Sequence, residues 1–192
     1  RLDVPYDQVE FRRIAEVIDA LKSGGVDFAI TNATPARAKD VDFTQPILSI
    51  ELGYLVSPGS PISRLSELDR SGVRVGVTQG STSQDALPGV LKNAAVVPAP
   101  NLKAAIEMLS QRKLDAFATN KAILFEMSDS LPGSQVLDGR WGVEHLAIAI
   151  PKGRDQGMPY MQEFVHDAIA QGLVMRAAER AGLRGAAKAD PR

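Results

Sequence analysis

Apolar and polar residues alternate along this chain in two rhythms, and each change of rhythm marks an element. A period of two reads as strand, and a period near 3.6 reads as helix. Leu2, Val4 and Tyr6 alternate with polar residues and predict a short opening strand. Asp7 and Glu10 have capping-box spacing, and Ile14, Val17, Ile18 and Leu21 then fall on one helical face that Gly24-Gly25 ends. Residues 26–31 form an apolar run of strand length. Val73, Val75 and Val77 alternate with Arg74 and Gly76, and residues 95–99 and 114–119 are two more strand-like runs. Between them Asn101 precedes a helical face of Leu102, Ala105, Ile106 and Leu109, and Asn120 opens a helix over 121–127. Val136-Leu137 is a possible short strand. From Met158 the pattern is helical, interrupted at Gly172, and Gly182, Gly185 and residues 188–192 predict a frayed tail.

Two longer stretches, 47–56 and 143–150, are extended and strongly apolar. The first runs into Ser57-Pro58-Gly59-Ser60-Pro61, a loop by its density of Pro and Gly, and the second into Pro151-Lys152-Gly153. They enter and leave a middle region of three strand–helix units. The pattern predicts an α/β protein whose opening strands run parallel through a helical crossover, and ligands tend to sit beyond the carboxyl ends of such strands. The expected division is two lobes, residues 1–50 with 148–192 and residues 51–147, crossed by the two long strands.

Composition narrows the function classes. The chain has 192 residues, 44% hydrophobic and 23% charged, a balance suited to a folded globular protein. Its net charge of -1 makes no electrostatic case for nucleic acid. Without cysteine it has neither disulfide nor thiolate metal site. No apolar run reaches the roughly 18 residues of a membrane span. The opening Arg1-Leu2-Asp3-Val4 is not a signal peptide, so a secreted protein would be seen here in mature or trimmed form. His145 and His166 sit on different elements without a carboxylate cluster, so no metal, no cofactor and no catalytic triad are expected.

The candidate chemistry lies at three corners where strands turn into helices. At the first, Asn32, Thr34 and Arg37 follow the run 26–31. Thr34 suits an N-cap and Pro35 the first helical position. The guanidinium of Arg37 is a planar fork that bonds both oxygens of a carboxylate. At the second, Thr78-Gln79-Gly80-Ser81-Thr82 follows the strand over 73–77, and Ser81 with Gln84 has capping-box spacing. It lacks the lysine and spacing of a P-loop, and it equally fits an ordinary capped turn. The third corner is Asn120.

Four stretches in order resemble the amino-acid-binding type of periplasmic solute-binding protein of ABC transporters, close in pattern to its glutamine-binding members. They are Ala20-Leu21-Lys22-Ser23-Gly24-Gly25-Val26-Asp27, Thr34-Pro35-Ala36-Arg37 with Val41-Asp42-Phe43, Val75-Gly76-Val77-Thr78-Gln79-Gly80-Ser81-Thr82, and Leu146-Ala147-Ile148-Ala149-Ile150-Pro151-Lys152-Gly153. The resemblance implies a periplasmic-binding-protein type II fold, two α/β lobes on two hinge strands, with a small carboxylate-bearing solute in the cleft. It implies that Arg37 clamps the carboxylate, that Ser81 and Thr82 add donors, and that Asn32 and Thr78 line the two sides. The implied protein is a periplasmic monomer, not an enzyme, that presents its closed form to a membrane permease.

The chain departs from that pattern in three places. Asn120 stands where the family carries an ammonium-binding Asp, which favours a neutral or purely anionic solute and leaves Arg37 the only full charge at the ligand. The spacing from Asp27 to Arg37 is two residues short. The family's strand and helix that precede this portion are not in the sequence. Two alternatives share the scaffold: an enzyme resembling cyclohexadienyl dehydratase, for which Glu126 lies too far along its helix to be an obvious acid, and the sensor domain of a receptor. Trp141 is expected to pack near the hinge.

Overall fold

The computed structural model describes residues 3–11 and 13–188. Its spine is one long strand, β2 (Val41–Val56), which runs through an eight-stranded mixed sheet. Along one edge β2 pairs antiparallel with β7 (Gly142–Pro151) and then β6 (Gln135–Val136). Along the other it pairs antiparallel with β8 (Ala186–Lys188) and then β5 (Ala116–Asn120). β3 (Arg74–Thr78) and β4 (Ala95–Ala99) continue the sheet beyond β5, parallel to one another and to it. At the opposite edge the four-residue strand β1 (Ala29–Asn32) pairs antiparallel with β7. The path is β1-β7-β2-β5-β3-β4.

The middle units form as their local signals predict. Ser81 accepts from Gln84 N at 3.3 Å and so caps α2 (Thr82–Val90), while Gln84 Oε1 accepts from Gly80 N at 2.7 Å. Two orphan donors at the helix start are satisfied reciprocally. Asn101 caps α3 (Leu102–Ser110) through Ala104 N, and Asn120 caps α4 (Lys121–Asp129) through Ile123 N. Successive residues of β2 and β5 then face opposite sides of the sheet. Tyr54, Val56, Ala116 and Ala118 enter one apolar cluster with Leu68, Val75, Val77 and Leu87. Leu55 and Phe117 enter another with Ala105, Leu109, Leu114 and Leu124. Trp141 packs at this level, its ring tilted against Tyr54 and its Nε1 donating to Gly53 O at 3.0 Å.

The outer parts bury less. α1 (Ile14–Ser23) ends in a left-handed Gly24 and sets Ile18 and Leu21 against Val41 and Ala149. α5 (Met158–Ala170) packs Val165 under Ile148 and Ile150, and α6 (Leu173–Arg180) follows Gly172.

Four expectations fail. Residues 3–11 form no strand: the alternation of Val4 and Tyr6 finds no partner strand, and both side chains are exposed. Leu2 lies outside the described residues. The helix starts at Ile14, behind an Arg13 with no side-chain cap, so Asp7 and Glu10 form no capping box. The opening strand is not parallel through a crossover, because β1 pairs with β7, a strand far away in sequence. The supposed tail enters the sheet as β8 against Leu48–Ile50, since the ladder offers partners that local composition does not announce.

Candidate functional site

The carboxyl ends of β1, β3 and β5 open on one cavity of about 300 Å³. Asn32, Arg37, Thr78, Ser81, Thr82 and Asn120 all line it. Thr34 lines a neighbouring cavity of about 430 Å³ that shares Asn32, Arg37 and Thr82. The three corners therefore converge, one from β1 at the edge of the sheet and two from the neighbouring strands β5 and β3.

The first corner is tighter than expected. After Thr34 the chain makes a 3₁₀ turn over Arg37–Lys39 rather than an α-helix. Thr34 Oγ1 still accepts from Arg37 N at 3.2 Å, and Thr34 O accepts from Ala38 N at 2.9 Å. The turn aims the Arg37 side chain back along β1. Its Nη1 donates to Thr31 Oγ1 at 2.9 Å and to Asn32 O at 3.2 Å. Its Nε and Nη2 have no hydrogen-bond partner among the described residues, so part of the fork is held and part remains for an anion. Burial pushes the guanidinium below its ordinary range, while Glu144 and Asp85 draw it back up. A guanidinium stays charged throughout the useful pH range, so burial acts here as a cost that an anion offsets.

At the second corner the Ser81 hydroxyl is occupied as a helix cap. Thr82 Oγ1 donates to Glu144 Oε1 at 3.2 Å. At the third, Asn120 uses Oδ1 to cap α4 and turns Nδ2 to Glu144 Oε2 at 3.2 Å.

Glu144 is the functional candidate that sequence reasoning missed. It sits on β7, lines the cavity, and is only 9% exposed. Asn32 Nδ2 lies 3.4 Å from both its Oε1 and Thr82 Oγ1. Arg37 is thus not the only full charge at the cavity. One signal could have found it: Glu144 is a carboxylate inside an apolar strand-like run, where a charge needs a partner or a task. Behind it, His145 N donates to Asn32 Oδ1 at 3.3 Å, and His145 Nδ1 lies 3.0 Å from Ser49 Oγ. Among the described residues no group of His, Cys, Asp and Glu is placed to hold a metal ion. No described helix is long and apolar enough to cross a membrane.

The βα corners bring a cation and several hydroxyl and amide groups to one cavity, and β7 adds the carboxylate of Glu144, a lining of the kind small-molecule pockets have. The chain belongs to the bacterial extracellular solute-binding proteins, family 3, which match residues 1–181. It is 30% identical over 139 residues, 71% of the chain and 50% of the relative, to the ABC transporter glutamine-binding protein GlnH of Bacillus subtilis (strain 168). It spans about half the length of the curated relatives it matches. An ancestral arginine-binding protein bound to glutamine superposes with a TM-score of 0.75 at 25% identity, covering 90% of this chain and 77% of that one. The ancestral amino acid-binding protein AncCDT-1, a precursor of cyclohexadienyl dehydratase, superposes with a TM-score of 0.73 at 24% identity, covering 85% and 72%. The fold is the periplasmic-binding-protein type II fold.

Proposed function

We infer that the protein captures a small carboxylate-bearing solute, an amino acid or a related organic acid, outside the cytoplasm and delivers it to an ABC-transporter permease. The observation that carries this reading is Arg37, partly buried at the cavity with Nε and Nη2 unengaged among the described residues. A partly buried cation with an open fork suits a ligand carboxylate. The names of the relatives support the same class: those matched in sequence are glutamine- and histidine-binding proteins. In a bacterium with two membranes the compartment is the periplasm.

Capture works by closure of two lobes, residues 1–50 with 148–192 and residues 51–147, about the crossings of β2 and β7. Asn32 and Arg37 belong to one lobe; Thr78, Ser81, Thr82 and Asn120 belong to the other. A solute that touches both sides shifts the population toward the closed form by its extra contacts there. Closure also removes water from the Arg37–carboxylate pair and strengthens it. The closed form is what the permease reads.

A thermal-shift screen with amino acids, keto acids, dicarboxylates and aromatic acids tests this. A ligand at 100 times its Kd stabilises by about 2.7 kcal/mol. Arg37→Ala is expected to abolish the shift. A shift that survives Arg37→Ala refutes the clamp.

Glu144 gives a second reading some support, because a dehydratase on this scaffold needs a general acid in the cleft. It ranks second because both Glu144 oxygens accept from amide groups, an arrangement suited to a hydrogen-bond acceptor. Product formation from prephenate or arogenate would reverse the ranking.

A further inference from the structure

After α6 the chain crosses from its own lobe to a helix of the other. Gly182, left-handed, ends α6: its N–H donates to Glu179 O at 3.0 Å, and the N–H of Leu183 donates to Ala178 O at 2.9 Å. Leu183 and Ala186 then enter an apolar cluster with Leu48, Ile50 and Ala122. Ala122 belongs to α4, within the stretch 51–147, and the other four belong to the stretches that flank it. β8 follows on β2 at Leu48–Ile50, and Gly185 O accepts from Glu51 N at 3.3 Å.

Two residues fix this segment to α4. Gly185 has a φ of +77°, and a Cβ there would sit 2.7 Å from Lys121 Cβ, so glycine lets the backbone come this close to the start of the helix. Lys121 is itself held, with its Nζ 2.8 Å from Glu51 Oε2. Beside Gly185, Arg184 sets its guanidinium 4.8 Å from the centroid of the Phe125 ring. It also bonds both carboxylate oxygens of Asp129, through Nη1 at 3.2 Å and through Nη2. A bidentate fork over an aromatic face fixes orientation as well as distance. None of these contact residues lines either cavity. In the same conformation Asn32 Nδ2 lies 3.4 Å from Thr82 Oγ1, between the two sides of the cleft. The grip outside the cleft and the approach inside it therefore coexist.

We propose that residues 183–188 form a latch outside the cleft, in which Arg184 of one lobe grips Asp129 and Phe125 of the other and holds the lobes near their closed arrangement before a solute binds. This rests on the reading of two lobes that move about β2 and β7. Arg184 is then a positioning residue for capture: it touches no solute, and it raises the fraction of protein ready to bind one. The side chains of Arg184 and Asp129 are 45% and 64% exposed, so salt screens the grip, which biases the lobes without locking them.

The chain has no cysteine, so two introduced ones carry the only spin labels. Lys103→Cys on α3 and Glu163→Cys on α5, both exposed, put one nitroxide on each lobe. Double electron–electron resonance is expected to give a narrow distance distribution for this labelled parent. In Arg184→Ala and in Asp129→Asn the population at a second distance is expected to rise about threefold or more. The exchanged pair, Arg184→Asp with Asp129→Arg, is expected to restore the narrow distribution. NaCl at about 1 M, where the Debye length is about 3 Å, is expected to broaden the parent and to leave Arg184→Ala as it is. This arm needs no change at the latch. A broad distribution in the parent at low salt, or variants as narrow as the parent, overturns the latch. A distance change with any compound of the thermal-shift screen then leaves lobe closure standing without it. No change with any of them overturns both readings.

Discussion

Residues 54–137 bury apolar side chains on both faces of a sheet, whereas residues 3–30 leave several of theirs in solvent. In the middle region every βα corner ends in a side-chain cap, and the helices behind it lock into one of two continuous clusters. At the outer edge the strand β1 has four residues, the helix α1 lacks a side-chain cap, and Val4, Tyr6, Val9, Phe28 and Ile30 are exposed. Both regions supply walls of the same cavity. Thr78, Ser81 and Asn120 stand on the well-packed side, and Asn32 and Arg37 on the sparsely packed one. The side bearing the cation is the more sparsely packed one, held by the four-residue ladder of β1 on β7, the small cluster under α1, the Arg37 bonds to Thr31 and Asn32 and the Thr34 turn. Few buried contacts mean a low free energy of local opening. Ordering of this edge around an anion and closure of the cleft would then be coupled events.

The largest expected effect tests the well-packed side. Phe117 is fully buried between β3 and the helices, and a Cβ on Gly76 would sit 2.8 Å from its ring. The packing there has no slack to collapse into the space a truncation leaves. Phe117→Ala is expected to cost about 3–5 kcal/mol. Urea unfolding followed by circular dichroism should show a lower midpoint and an unchanged slope. A loss below about 1 kcal/mol would mean that the middle region does not carry the stability assigned to it.

What was legible in the sequence follows the same division. Ser81, Asn101 and Asn120 each cap the helix they were expected to cap, because a cap is a bond to a residue three positions on. The convergence of Asn32, Arg37, Ser81 and Asn120 followed from corners at strand ends together with a family resemblance. The partner of β1 was not legible, since β7 lies more than a hundred residues away and short apolar runs do not specify whom they pair with. The strand at Ala186–Lys188 was hidden for the same reason: its Gly- and Ala-rich surroundings look like a tail until β2 offers an edge. Glu144 was lost between these two cases. A strand's alternation puts it on one of two faces, but which face meets the cavity depends on the register Ile50↔Glu144 with β2.

A smaller effect of opposite sign probes a flaw in the well-packed side. Tyr54 is 2% exposed, and its hydroxyl has no hydrogen-bond partner among the described residues. Burial, assisted by Asp69, pushes this phenol well above its ordinary range. An unsatisfied buried hydroxyl costs about 1–3 kcal/mol, and deleting it keeps the ring against Trp141. Tyr54→Phe is expected to raise stability by about 1 kcal/mol in the same denaturation experiment. Destabilisation would reveal a partner for the hydroxyl and make this core fully satisfied.

The smallest effect belongs to the sparsely packed side. Tyr6 is 85% exposed, and Val9 is also exposed. Neither side chain joins any of the apolar clusters of the sheet. Replacing both by Ser removes apolar surface that is already in water, so the hydrophobic term scarcely changes on unfolding. The double variant is expected to stay within about 0.5 kcal/mol of the parent in urea. The apolar wall at Ile30 is a different case: it is exposed but lines the cavity, so a ligand can cover it. Tyr6→Ser with Val9→Ser should therefore leave both stability and the ligand-induced shift unchanged. A loss of more than about 1 kcal/mol would show that residues 3–11 pack against the edge in solution. The two regions would then differ less in packing than their exposure indicates.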